Sequence, residues 1–598
     1  MSSVVSRVRV ARSIALVSRL GEPWSKIVAW LEQRDWDEGT QLMAFALVIG
    51  VAAGLGVVAF YRLIDLAYGL LVTDIGEQLD PMARAFYRPL ITALALWIAW
   101  AIARWSRIPD GQTVPDVQLA VAKRGGVVHF RPVVARTLAA VVTLAGGGSA
   151  GSEGPTAVLG SAIGSAAGRA LHFQPRRLKI LVGCGAAAGI SAAFNAPFAG
   201  AFFALEEVLG SFSVGAFSPV VIASVVAAIT VRPFLGSHPA FHIPPYGSIR
   251  PLAIVLLYPL LGVACGLASA FYSKLFFATS DAFGRMRPNW LRPLLGGLTV
   301  GLLGYLGGGL LMGTGHLAIP IEMFGGITWY LLIGFALAKM MATSITLGSG
   351  GSGGLFTPTL FVGAAFGGGL GVLAHQLLPN FGLHPEAWAL VGMAGLIAGT
   401  LHAPITAIFM VFEMTNDYNI VPPLMIVSVI ALTTSRRFAK HGLYDGWLAR
   451  RGEHLAHGAD RAIMHRLLVR DVMNTSAVRV APGAPLAEVV AATSQSRLTT
   501  IPVVDDDGVL HGVITFTELR LALLDRGDLA PLLLAADLAE PTEIALRTDS
   551  VEAALSKLNA RAVDLLPVVK SEDDPIFLGV LTRDDILASY ERELMQQV

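Results

Sequence analysis

Glu153 stands in Gly151-Ser152-Glu153-Gly154-Pro155-Thr156, followed by Gly160, Gly164 and Gly168, a glycine-rich start to an apolar helix. The pattern returns as Gly354-Leu355-Phe356-Thr357-Pro358-Thr359 with Gly363, Gly367 and Gly371, and Gly, Pro and Thr coincide at six positions under one shift of 203 residues (354 − 151). A helix N-terminus carries unpaired N–H groups and partial positive charge, so it favours an anion. Paired, Gly/Pro-interrupted apolar segments in two halves of a chain point to a transport site near the middle of a bilayer. The residues therefore describe an anion path, with an acid where an anion would sit. An ionised Glu153 is a tethered anion that competes with the moving one, and protonation removes the competition. A plain helix-capping acid is the alternative, favoured by the dipole to ~0.3–1 kcal/mol. Inside a membrane a charge costs roughly 2.5–3.5 kcal/mol and is functional by default.

A second duplication supports the first. Asn195-Ala-Pro-Phe-Ala-Gly-Ala-Phe-Phe-Ala-Leu-Glu206 aligns with His402-Ala-Pro-Ile-Thr-Ala-Ile-Phe-Met-Val-Phe-Glu413 at a shift of 207 (402 − 195). Glu413 answers Glu206, whereas Met414 answers Glu207. Glu206 thus reads as structural and common to both halves, and Glu207 as an asymmetric addition or an exposed helix-end acid. Leu355 and Phe356 offer an anion only their backbone N–H groups, and Phe356 aligns with Glu153, so both halves aim at one site. Tyr444 follows a basic run; its phenol can donate one hydrogen bond to an anion or belong to an interfacial aromatic belt.

These groups need a membrane scaffold, and the composition supplies one. The 598 residues are 54% hydrophobic and 15% charged, with a net charge of +1, against about 25% charge in soluble domains. The apolar weight lies between about 40 and 435, room for on the order of ten or more spans at about 20 residues each. Several runs are too short to cross, as expected of broken helices lining a protein interior. The near-neutral charge gives no indication of nucleic acid. Arg436, Arg437, Lys440, Arg450 and Arg451 after the last apolar run place that end and the tail in the cytoplasm. No cleavable signal pattern follows the early arginines. Cys184 and Cys265 lie in apolar segments and read as packing residues. The tail repeats itself: Ile501-Pro502-Val503-Val504 returns as Leu566-Pro567-Val568-Val569, and Gly512-Val513-Ile514-Thr515 as Gly579-Val580-Leu581-Thr582. Each copy reads helix, strand, strand, helix, with Asp505-Asp506-Asp507-Gly508 as a hairpin turn.

Taken together, Gly-Ser-Glu-Gly-Pro (151–155), Gly-Gly-Leu-Phe-Thr-Pro (353–358), Phe-Asn-Ala-Pro-Phe-Ala-Gly…Glu-Glu (194–207) and Leu-Tyr-Asp (443–445) resemble the CLC family of chloride channels and chloride/proton exchangers. The tail resembles a tandem pair of CBS domains. The resemblance implies an all-α, multi-span membrane domain with an inverted internal repeat and broken helices, followed by α/β CBS domains. The expected domains are a cytoplasmic N-terminal segment (1–39), a transport domain (40–450), a linker (451–466) and CBS domains at 467–526 and 533–592. It implies a non-enzymatic homodimer in the cell (plasma or inner) membrane that moves chloride or a similar small anion. It also implies a gating role for Glu153, internal proton acceptance for Glu207, and anion contacts from Gln112, Leu355, Phe356 and Tyr444. Transport requires no cofactor, while Thr582 and Asp585 match the CBS ribose pattern, so an adenine nucleotide could bind there or the pair could simply be a scaffold.

Two departures matter. The family's Gly-Ser-Gly-Ile-Pro reads Gly111-Gln112-Thr113-Val114-Pro115, so Gln112 could bind an anion, fill part of the site or shift selectivity, and Thr113 could supply a hydroxyl instead. The basic residue usual before the gating glutamate is Ser152. Without a neighbouring cation the ionised glutamate loses support, so activity is expected to persist to higher pH than in Ser152→Arg; superimposable pH–flux profiles would contradict this. A passive channel remains the alternative to an exchanger. A CBS-regulated cation carrier would need facing oxygen ligands, where these helix starts offer N–H donors.

Overall fold

The protein is described from a computed structural model covering residues 38–76, 78–106, 113–171, 173–236, 251–314, 326–453, 467–495, 500–525, 532–561, 564–571 and 574–596. It divides into two compact units, residues 1–455 and 456–598. In the first unit, eight helices among the described residues are long and apolar enough to cross a membrane. The site is built by α1 (Glu38–Tyr68), α2 (Val114–Lys123), α3 (Glu153–Ala170), α4 (Pro175–Phe194) and α5 (Pro197–Phe203) from the first half. The second half contributes α6 (Trp329–Gly348), α7 (Phe356–Leu377), α8 (Pro385–Leu401), α9 (Pro404–Thr415) and α10 (Leu443–Ala449). Cys184 and Cys265 are free and buried.

The duplicated glycines explain the architecture. Gly160 and Gly164 of α3 lie against the backbone carbonyls of Gly185 and Leu181 of α4. In the second half, Gly363 and Gly367 of α7 meet the carbonyls of Gly392 and Trp388 of α8. A Cβ at any of the four would strike backbone, so small residues let the paired helices close on each other. Pro155 and Pro358 both sit in a first helical turn, where a missing N–H costs nothing. α4 and α8 end on equivalent left-handed residues, Asn195 (φ 51°) and His402 (φ 67°), and an Ala-Pro step then starts the next helix.

The halves are tied together at two levels. Gly151 and Gly354 form an antiparallel bridge through reciprocal N–H···O bonds of 2.8 and 2.7 Å. Antiparallel pairing of equivalent residues is the relation expected of an inverted repeat. Further along, Glu206 accepts hydrogen bonds from the N–H groups of Ile405 (3.1 Å) and Thr406 (2.7 Å) and from Thr406 Oγ1 (2.6 Å), capping α9. Glu413 reciprocates by accepting from the N–H groups of Phe198 (2.9 Å) and Ala199 (2.8 Å), capping α5. Each carboxylate neutralises the other half's helix start, which gives Glu206 and Glu413 their structural role.

The second unit contains a two-stranded antiparallel sheet, β1 (Thr500–Val504) with β2 (Leu510–Thr515), around the Asp505–Gly508 turn. Its other sheet has the order β3 (Ala545–Leu546), β4 (Leu565–Val569), β5 (Phe577–Thr582). Both hairpins carry a register shift at the equivalent valine, Val504 and Val569. Packing crosses the boundaries drawn from sequence. Val469 and Val472 enter the core of the second copy, and Asn474 pairs with Val580. Leu533, Ala535 and Leu538 enter the core of the first, and Glu540 pairs with Val513. A strand edge accepts any extended partner, so element order alone does not reveal this exchange.

Candidate anion site and its place among known proteins

The helix starts of α3 and α7 meet at Glu153, which is 1% exposed. Its carboxylate reaches across the repeat and accepts from the Phe356 N–H at 2.5 Å and Thr357 Oγ1 at 2.6 Å. The side chain of the first half therefore sits on the helix start of the second, a place that favours negative charge. A Cβ at Gly354 would press on the backbone N of Gly154 and displace the Glu153 carboxylate, so glycine lets the two helix starts close on each other. Beside it, Ser152 Oγ and Tyr61 Oη of α1 are hydrogen-bonded at 2.9 Å, a neutral hydroxyl pair next to the carboxylate.

On one side of this contact lies a cavity of about 70 Å³, lined by Thr113, Gly354, Leu355 and Tyr444 among others. At ~10–15 Å³ per water, it accommodates several waters or a small monatomic anion. Tyr444 lines this cavity, and its Oη is buried and without a hydrogen-bond partner among the described residues. Gln112 lies outside the described residues. Thr113 lines the cavity, but its hydroxyl donates to Asp116 Oδ2 at 2.9 Å as part of the α2 capping box, so that proton is committed. Arg136, Leu347, Gly351 and Trp447 also line an adjoining cavity of about 920 Å³, which carries Arg104, Arg292, Arg450 and Arg451 with Asp281. A basic mouth of this kind concentrates anions at a narrow site.

Glu207 is 7% exposed and lies in the π-helical turn Ala204–Val208 at the end of α5. Such a turn inserts an extra residue and re-aims its neighbours. Here it lets consecutive carboxylates diverge: Glu206 goes to α9, while Glu207 turns to Gln118 of α2. Gln118 Nε2 donates to Glu207 Oε2 (3.1 Å) and to the Glu207 carbonyl (2.8 Å).

Sequence reading did not single out Gln118 or Lys339. Lys339 of α6 is fully buried, donates to the carbonyls of Leu311 (3.0 Å) and Gly313 (3.1 Å), and lies 5.3 Å over the Phe361 ring. Both are polar residues inside apolar helices, the signal that could have found them.

In the second unit, Thr582 Oγ1 donates to Asp585 Oδ2 at 2.6 Å at the start of α11 (Arg583–Gln596), and both side chains are half-buried. In the first copy, the equivalent Glu518 has a buried Oε2 without a partner among the described residues.

Comparison with known proteins decides the family. The model for voltage gated chloride channels matches residues 94–436, more than half the chain, and CBS-domain models match 469–525 and 539–592. This chain belongs to the CLC family. A CLC relative from Ralstonia nicotianae, named a putative chloride channel protein ClcB-like, is 34% identical over 68% of this chain and 97% of its own. An H(+)/Cl(-) exchange transporter ClcA from Yersinia pseudotuberculosis is 30% identical over 68% of this chain and 87% of its own. Among solved structures, a CLC-type fluoride/proton antiporter is 26% identical, with a TM-score of 0.56 over 68% of this chain and 97% of its own. A eukaryotic CLC transporter shares the fold with a TM-score of 0.65 over 91% of this chain and 98% of its own at 19% identity. This CLC protein is a multi-pass membrane protein with a CBS pair.

Proposed function

We infer that the protein exchanges a small anion, chloride first, for protons. The carrying observation is Glu153 seated on the α7 helix start, bonded to Phe356 N and Thr357 Oγ1 where the anion itself would bind. Ionised, the carboxylate closes the path. Protonated, it becomes a weaker guest of a positive helix end and yields the place to the anion, so each opening takes up a proton. Leu355 and Tyr444 then contact the anion in the 70 Å³ cavity, reached through the arginine-lined mouth, and Phe356 offers it the N–H that the carboxylate gives up. Glu207 supplies the second proton station, off the anion route, which an exchanger needs and a channel does not. The exchange named for the Yersinia relative and the antiport named for the solved neighbour support this reading. The arginines after the last span favour a cytoplasmic CBS pair, in a homodimer as the family resemblance implies. Thr582 and Asp585 present the hydroxyl and carboxylate that would hold a ribose of an adenine nucleotide.

The test is paired chloride and proton flux from liposomes driven by an imposed chloride gradient. Protons are expected to move against their own gradient. Glu207→Gln is expected to cut proton movement at least tenfold while anions still pass. Chloride flux without protons in the unaltered protein would make it a channel. Absence of chloride flux would turn attention to Gln112 and another anion.

A further inference from the structure

We propose that Gln118 is a positioning residue that fixes how tightly Glu207 holds its proton. The proposal deepens the exchanger reading and rests on it for its transport consequence. Gln118 is 2% exposed on α2, the short helix whose first turn also lines the anion cavity. Its Nε2 faces two acceptors of one residue, the main-chain carbonyl and the carboxylate of Glu207. A carbonyl can only accept, so it fixes the amide with its N–H groups toward Glu207. That orientation leaves Gln118 Oε1 buried and without a partner among the described residues. An unmet buried acceptor is unfavourable, so the two donated bonds outweigh it.

The consequence is one-directional. A locked donor serves an ionised carboxylate, which has only acceptors, better than a carboxylic acid. The acidic residues near Glu207 are Asp445 of α10 and Glu206 on the same turn. Among the described residues, Gln118 is the only side chain recorded as donating a hydrogen bond to Glu207. It therefore favours the ionised form and keeps Glu207 able to release its proton. The amide itself does not titrate, so the coupling step gains a fixed reference that pH cannot change.

The experiment titrates Glu207 directly. In pH-difference infrared spectra of the purified full-length protein, the carboxylic C=O band missing from Glu207→Gln reports protonated Glu207. In Gln118→Leu the pH midpoint of that band is expected to rise by about one unit, a tenfold change in proton affinity. Gln118→Glu, nearly isosteric, is expected to raise it further by adding a third acid, and it covers the case in which the leucine variant does not assemble. In liposomes, the pH at which proton coupling is half-lost is expected to rise in parallel. An unchanged or lowered band midpoint in the assembled variants overturns the proposal whatever the transport shows. A raised midpoint in a protein that moves no protons upholds the proposal and overturns the exchanger reading alone.

Discussion

Glu153→Gln is expected to abolish proton movement and to leave anion flux independent of pH. The glutamine amide keeps the size of the side chain and can still reach the Phe356 N–H and Thr357 Oγ1 that hold the carboxylate. It removes the charge, and with it both the competition against the anion and the proton that opening requires. In the unaltered protein, flux should rise as pH falls, because protonation of the tethered acid vacates the anion position. In the variant the profile should be flat, and proton flux should fall at least a hundredfold, below detection beside the chloride signal. Paired flux recordings across a pH series read both quantities at once. A variant that retained coupled proton movement would remove Glu153 from the gate, however well placed it is.

Glu206→Ala is expected to cost stability rather than coupling. Its carboxylate is the acceptor for two backbone N–H groups and one hydroxyl at the start of α9. Unsatisfied groups of this kind cost about 1–3 kcal/mol each when buried, and water reaching the half-buried site relieves part of that. A net loss of about 3 kcal/mol is expected, read as a lower unfolding midpoint in detergent. Glu206→Gln, which keeps one acceptor oxygen, should lose less than half as much. Glu413→Ala should behave like Glu206→Ala, because it uncaps α5 in the same way from the other half. Equal midpoints for the alanine variants and the unaltered protein would show that the exchanged caps contribute no stability.

The adjacent glutamates show how far sequence reading goes. That the two differ was legible because one is repeated at Glu413 and the other is not. What turns them to opposite partners is the π-helical turn Ala204–Val208, a single extra residue in a helix that carries no sequence signature of its own. In the same way, Thr113 offered a free hydroxyl on paper. In the fold that hydroxyl donates to Asp116, three residues along, because a residue starting a helix uses its side chain locally before it serves a ligand.

The sequence by itself determined the membrane class, the duplication and the segments that start broken helices, because glycine, proline and hydropathy act locally and repeat at a constant shift. It also pointed to Glu153, Phe356 and Tyr444, since an acid, bare amides and a phenol are legible as chemistry wherever they lie. Only the tertiary structure decided which groups meet. The Glu153 carboxylate lands on a helix start 203 residues away, Gln118 locks onto Glu207 across 89, and two segments of the tail exchange sheets. Those pairings depend on where whole helices and strands pack, and packing is a sum over many distant contacts that no local spacing encodes.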